Sequence, residues 1–247
     1  MRQLFPPPTG LLDDDGLDRA YGDEPADFLR INFVASADGA STLDGHAGGL
    51  GSPTDQQVLR LLRDRSDGIL VGAGTARAES YRPLRDDPAR SRARTGRGLA
   101  RVPPLILVSR RLAIDPGEPI IANAVARTVI VTCAGSDRGR REALAAVTPV
   151  IVAGEDIVDL AAARSALAER GLRRLVCEGG PTLFSTALAA GIVDELCLTV
   201  SPMLTGPGAA RIVDGHLQID PVRLALRHLL EDDGYLFLRY AVDEGRP

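Results

Sequence analysis

Residues 173–191 read RRLVCEGGPTLFSTALAAG, and the order of features in this stretch decides the fold. Leu175, Val176 and Cys177 make a short apolar run of the kind that forms a buried strand. Glu178 ends the run and is followed by the pair Gly179 and Gly180, where missing side chains allow a tight turn. Pro181 suits the first position of a helix, and Leu183, Phe184, Ala187 and Leu188 supply an apolar stripe before Gly191 stops it. Strand, glycine turn and helix form the repeating unit of an open α/β sheet.

The same unit occurs upstream. DGILVGAG, residues 67–74, is a buried strand entering a Gly-rich turn. A marked helix precedes it: Ser52 is the N-cap, Pro53 the first position, Asp55 completes a capping-box spacing, and Val58, Leu59, Leu61 and Leu62 form the stripe to about Ser66. Strands are expected at 29–36, 103–109, 126–132 and 148–153, and Asp44-Gly45 is a tight turn. Helices are expected from Ser136 to Ala146 and after Asp156, the latter carrying Ile157, Leu160, Ala161, Arg164, Leu167 and Ala168 to Gly171. The last third turns to strands, with RLALRHLL and YLFLRYAV pairing across the turn at 232–234. These elements predict an α/β three-layer sandwich: a mixed, mostly parallel central sheet, helices on both faces, and a C-terminal antiparallel hairpin. Residues 1–27, with Pro6 to Pro8 and Asp13 to Asp15, read as an acidic, poorly packed extension or a wrapping arm, and 28–247 as one domain. Seven arginines among Pro, Gly and Ser make 82–101 a solvated loop.

Composition narrows the chemistry. All 29 basic residues are arginine, which excludes Schiff-base enzymes, the P-loop lysine and the Tyr-x-x-x-Lys pair of short-chain dehydrogenases. The net charge of −4 gives no reason to expect a polyanionic partner, and the Arg-rich stretch lacks interleaved aromatics, so no nucleic acid is expected. No apolar run approaches the ~20 residues that span a bilayer and no signal pattern opens the chain, so a cytoplasmic protein is expected. Cys133, Cys177 and Cys197 are far apart and read as buried thiols, and His46, His216 and His228 have no ligand-spaced partner; no metal site is expected.

Ligands of open α/β sheets bind beyond the carboxyl ends of the strands. The turns at 71–75 and 178–182 each suit a pyrophosphate, although neither matches G-x-G-x-x-G and each alone is a weak signal. Ser109 followed by Arg110 closes another strand and suits a phosphate monoester, which favours NADPH over NADH.

Four stretches, FVASADG (33–39), LLRDRSDGILVGAGTARAE (61–79), LVCEGGPTLFSTAL (175–188) and DELCLTVSPMLTG (194–206), resemble the pyrimidine reductase family of riboflavin biosynthesis, the reductase half of the deaminase–reductase enzymes. The resemblance covers about residues 29–241 and implies a dihydrofolate-reductase-like fold, NADPH as cofactor and a homodimer. It further implies that Gly72, Ala73, Gly74 and Thr75 contact the cofactor, that Glu79 stands near its ribose, and that Ser109 and Arg110 meet its 2′-phosphate. Gly179, Gly180, Thr182 and Leu183 then line the pyrophosphate and nicotinamide side, while Asn32, Ser36, Asp38, Ser52, Arg63 and Glu178 face substrate. Glu178 is the first catalytic candidate, because a carboxylate beside a glycine pair is costly to desolvate unless it binds something; Asp38 is the second. Each has a plainer reading: Asp38 as a turn former, Ser52 as a cap, Arg63 as a surface partner of Asp67.

Two positions depart from the family pattern. Asn32 occupies the place of a lysine, and Leu50-Gly51-Ser52 that of an aromatic-Ile-Thr segment. No H-x-E or P-C-x-x-C deaminase signature occurs, so a stand-alone reductase is expected. The leading expectation is hydride transfer from NADPH to C1′ of a phosphorylated ribosylaminopyrimidine. A dihydrofolate or other C=N or C=O reductase, and a non-catalytic NADP-binding protein, are the alternatives.

Overall fold

Alternation along the central strands explains why both faces of the sheet are covered. In the computed structural model, which describes residues 1–22, 24–215 and 219–242, Ile69 and Val71 point to one apolar layer while Leu70 points to the other. Leu105 and Leu107 flank Ile106 in the same way. Strands buried on both sides read as unbroken apolar runs, which is how they look in the sequence.

The chain begins with β1 (Arg2–Phe5), β2 (Gly10–Leu11) and α1 (Asp14–Ala20), followed by β3 (Phe28–Ser36). Next come α2 (Pro53–Asp64), β4 (Gly68–Gly72), α3 (Ala73–Ala78), α4 (Pro88–Gly96) and β5 (Leu105–Val108). The middle is α5 (Pro119–Ala122), β6 (Val129–Thr132), α6 (Arg138–Ala145), β7 (Val150–Val152), α7 (Leu160–Ala168) and β8 (Arg174–Cys177). It closes with α8 (Pro181–Ala189), β9 (Glu195–Ser201), β10 (Leu224–Asp232) and β11 (Tyr235–Val242). One sheet contains all strands in the order β2-β1-β10-β11-β9-β3-β8-β4-β5-β6-β7. From β9 to β7 the neighbours are parallel, and from β9 to β2 they are antiparallel. This is the mixed, mostly parallel three-layer sandwich with a C-terminal hairpin that the sequence predicts. Leu17, Val58, Leu62, Ala76, Ile120 and Leu144 bring α1, α2, α3, α5 and α6 to one face. Leu160, Leu167, Phe184 and Ala187 bring α7 and α8 to the other. Each large aliphatic side chain among them, fully buried, contributes on the order of 2 kcal/mol.

Two local readings differ from the structure. Residues 88–96 form α4 rather than a solvated loop: Asp87 caps it, accepting from the N–H groups of Ala89 and Arg90 at 3.0 Å, and Pro88 starts it. Two of its three arginines are absorbed in folding, Arg90 on Asp64 at 2.8 Å and Arg94 on the carbonyls of Ala100 and Arg63 at 2.7 and 2.5 Å. Asp159, not Asp156, caps α7, because Ile157 remains exposed and the helical stripe starts at Leu160. Of the two readings of the N-terminal segment, the described residues follow the wrapping arm, β1 pairing with β10 and Tyr21 buried at 1% exposure. Below it runs a network of buried charges in which Arg30 and Arg239 share Glu195 at 2.5 and 2.6 Å, and Glu24 joins Arg30 to Arg65.

The three cysteines are buried free thiols, Cys177 on β8, Cys197 on β9 and Cys133 just after β6. His228 is buried beside Tyr21, with Nδ1 3.1 Å from the Ala20 carbonyl; His216 lies outside the described residues. Among the described residues, no helix is long and apolar enough to cross a membrane, and no cluster of three His, Cys, Asp or Glu is arranged to hold a metal.

Candidate active site

Because β8, β4 and β5 are neighbours, their carboxyl ends deliver Glu178–Gly180, Gly72–Thr75 and Ser109–Arg110 side by side. The two glycine turns touch: the Gly72 N–H donates to the Gly179 carbonyl at 2.8 Å, and the Glu178 N–H to the Leu70 carbonyl at 2.9 Å. Glycine is required where they meet. A Cβ on Gly180 would come within 2.3 Å of Thr75 Oγ1, and one on Gly179, where φ is +89°, within 2.8 Å of the Phe33 ring. The peptide joining Gly179 to Gly180 is cis. Gly180 also caps α8 without any side-chain hydrogen bond, leaving the first backbone N–H groups of that helix available to an anion.

A cavity of about 750 Å³ opens against these turns. One face of α2 forms a wall, with Asp55, Leu59 and Arg63 spaced four residues apart so that all three look inward. Asn32 and Phe33 contribute from β3, Gly74, Thr75 and Glu79 from α3 and its end, and Glu178 and Gly180 from the turn after β8. The strap Ser80–Arg85 also lines this cavity and is shared with a second cavity of about 610 Å³.

Glu178 is the polar centre of this surface. Arg63 grips it with Nε on Oε1 and Nη2 on Oε2, both at 2.6 Å, and Tyr81 Oη donates to Oε2 at 2.6 Å. The Glu178 side chain is only 3% exposed, and the Arg63 guanidinium also lies over the Tyr81 ring, 5.8 Å from its centroid. Burial, followed by the Glu178 charge, pushes the Tyr81 phenol well above its ordinary value, so it stays a donor. Burial works against the Arg63 charge, but the Glu178 carboxylate outweighs it and holds the guanidinium more firmly protonated than usual. Arg63 therefore pairs with Glu178, whereas Asp67 pairs with Arg174.

The remaining expected site residues divide. Asn32, Arg63, Gly74, Thr75, Glu79, Glu178 and Gly180 line the cavity together. Glu79 does so with Oε1 accepting from the Ala47 N–H at 2.8 Å, closing the turn at 47–49 onto α3. Gly72, Ala73, Ser109, Arg110, Gly179, Thr182 and Leu183 lie on the same three strand ends outside the cavity lining, with Ala73 and Leu183 buried in the core layers and Arg110 exposed. Ser109 Oγ accepts from the Leu112 N–H at 3.0 Å.

Ser36, Asp38 and Ser52 do not line the cavity. Ser52 caps α2, accepting from the Asp55 N–H at 3.0 Å. Asp38 closes a turn: Ser36 Oγ donates to it, as do the N–H groups of Thr205 and Gly206 at 3.2 and 2.8 Å. Those hydrogen bonds, Ser36 first, hold its carboxyl at about 2, so at neutral pH it is an acceptor with no proton to give. Asp55, Arg82 and Arg85, which local sequence rules assign to a helix cap and a solvated loop, also line the cavity, as does Tyr81, to which they assign no role.

The chain has counterparts among known proteins. The family model described as the RibD C-terminal domain matches residues 27–237. The 2,5-diamino-6-ribosylamino-4(3H)-pyrimidinone 5′-phosphate reductase of Methanothermobacter thermautotrophicus is 30% identical over 85% of this chain and 92% of its own length. That of Archaeoglobus fulgidus is 29% identical over 72% and 82%. Among solved structures, a pyrimidine reductase-like protein from Corynebacterium diphtheriae superposes with a TM-score of 0.83 at 30% identity, covering 92% of this chain and 98% of that one.

Proposed function

The chain belongs to the RibD C-terminal domain family, and on this basis we propose that it is a pyrimidine reductase of riboflavin biosynthesis, converting the ribosylamino side chain of a phosphorylated aminopyrimidine to ribitylamino with NADPH. The observation that carries this reading is the Arg63–Glu178–Tyr81 cluster, set in a cavity bounded by two touching glycine turns. Polar groups this buried and this well satisfied, facing an open cavity, favour a binding site over a packing feature.

The residues present fit a phosphorylated dinucleotide. The uncapped N-terminus of α8 offers backbone N–H groups to a pyrophosphate, and a Cβ on Gly74 would meet nothing within 4 Å, so a ligand has room at the cavity wall. Ser109 and the exposed Arg110 would hold a 2′-phosphate, guanidinium to phosphate. Gly72, Ala73, Gly179, Thr182 and Leu183 contribute backbone to the same surface, and Glu79 and Thr75 its edge. When bound, the reduced nicotinamide supplies the hydride.

On the substrate side, Arg63 and Tyr81 are aligned by Glu178, which accepts three hydrogen bonds and serves as an orienting anion, not as a proton donor. Arg82 and Arg85, which form no ion pair among the described residues, supply at the cavity the positive charge that Asn32 does not. Ser52 sets the start of α2, and Ser36 and Asp38 set the turn against residues 205–206.

A homodimer fits the sheet. Leu229, Leu238 and Leu198 are register neighbours across β10, β11 and β9 and are half-buried, forming an apolar row that a second copy would cover.

Assay of NADPH oxidation with a phosphorylated ribosylaminopyrimidine tests the function. Steady turnover that yields the ribitylamino product is expected; tight NADPH binding without turnover would overturn it.

A further inference from the structure

An acid three residues after a helix cap normally returns a hydrogen bond to the cap's own backbone N–H. At the start of α2 the exchange is one-sided. Ser52 Oγ accepts from the Asp55 N–H at 3.0 Å, but among the described residues the Asp55 carboxylate accepts nothing from Ser52. It lies instead near the Thr199 side chain on β9 and against Gly51, where a Cβ would stand 2.9 Å from Oδ2. Asp55 is 7% exposed and lines the cavity.

Among the described residues it has no ion-pair partner. Arg63, on the same helix face, is two turns away, about 12 Å at the helical rise, and is held by Glu178. Burial raises the Asp55 carboxyl above the usual carboxylate range, with the Thr199 hydroxyl opposing only in part. A buried carboxylate aimed into a cavity without a cation is costly, and the cost is offset only if an occupant brings donors to it.

We propose that Asp55 reads the ring of the substrate, selecting a 2-aminopyrimidin-4(3H)-one over the corresponding uracil. The inference rests on the reductase reading above. The amino group at C2 and the N–H at N3 are adjacent donors, matching the two carboxylate oxygens in a charge-assisted pair. In the uracil, C2 carries a carbonyl, which sets one acceptor against another in a dry site. A site built for a donor discriminates strongly against the analogue that lacks it, because its own polar group is left unpaired. Reduced pterins such as dihydrofolate present the same donor pair, so the shared chemistry is the edge, and the source of that edge is an arm of the test.

The test compares kcat/KM for the two ribosylaminopyrimidine 5′-phosphates and for dihydrofolate, in the wild type and in Asp55→Asn. Calorimetric binding of the two ribitylamino products serves as a readout independent of turnover. The wild type should prefer the 2-amino ring by at least ~10²-fold. The Asp55→Asn amide offers one donor and one acceptor, complementing the uracil edge, and should cut that preference at least tenfold while leaving the melting temperature unchanged or higher. Equal wild-type efficiencies, equal product affinities, or an unaltered ratio in the variant overturns the proposal. Should the variant fail to fold, the wild-type ratio and product binding decide. Binding preference without turnover of either pyrimidine keeps the role of Asp55 and removes the pyrimidine reductase reading. Faster, Asp55-dependent turnover of dihydrofolate keeps the edge recognition and reassigns it to a pterin.

Discussion

Arg63 and Glu178 lie 115 residues apart in the chain and meet in a two-pronged ion pair at 2.6 Å on each arm. One comes from the last turn of α2 and the other from the end of the central strand β8, so the pair fixes the distance between the α2 wall of the cavity and the glycine turns. Tyr81 completes the cluster from the strap.

Removing one member of a nearly buried pair leaves the other uncompensated. Arg63→Ala is expected to cost about 3–5 kcal/mol of stability, measured by denaturant unfolding, and to lower kcat/KM at least about a hundredfold. Arg63→Lys should recover little, because an ammonium does not reproduce the fork. Tyr81→Phe removes one hydrogen bond to a charge and should cost about 1.5–3 kcal/mol; retention of full kcat/KM by that variant would remove Tyr81 from the site.

Gly180→Ala places a methyl group against Thr75 Oγ1 and should weaken NADPH binding while destabilising the fold by about 1–3 kcal/mol. Thr75→Ala removes the hydroxyl that the methyl meets. The double variant should therefore bind NADPH more tightly than Gly180→Ala alone, and a strictly additive cycle would count against contact between the turns.

Arg110 is exposed, so replacing it should leave the melting temperature nearly unchanged. Arg110→Ala is expected to raise the Kd for NADPH about tenfold or more, as loss of a charge-assisted hydrogen bond does, while the Kd for NADH stays the same. Equal losses for both cofactors would move the 2′-phosphate site elsewhere.

His228 gives the fold a pH dependence. Burial, reinforced by the charges of Arg239 and Arg30, holds its imidazole at about 4, against 6.5 when unfolded. The neutral ring is the native form, so its stabilisation is complete above about pH 6.5. It is lost as pH falls toward 4, since the unfolded chain binds the proton first. The loss is on the order of 3 kcal/mol. His228→Phe should flatten this part of the curve relative to the wild type; parallel curves would assign the acid sensitivity to other groups.

Much of the architecture was legible because apolar runs, glycine turns and caps agree with one another, as they do at Leu175–Gly191 and Ser52–Ser66. Helix α4 was hidden by its composition: seven arginines between 82 and 101 suggest solvent, yet Arg94 is 1% exposed and bonded to carbonyls that only the folded chain brings near. Pairing of β1 with β10 joins the two ends of the chain, which no local pattern announces. Asp55 obeyed a capping rule so well that its spacing concealed its direction, and Tyr81 stood in a stretch without periodicity. Both act through partners distant in sequence.

The cysteines equip the sheet with its own reporters. No thiol can meet a reagent in solution until the strand beneath it separates from its neighbours, and burial pushes the Cys177 thiol up to about 12, which slows reaction further. Because Cys177 adjoins Glu178, its labelling rate measures how often the heart of the site opens, and a ligand that closes the cavity should slow that rate while leaving Cys133 to record the rest of the sheet.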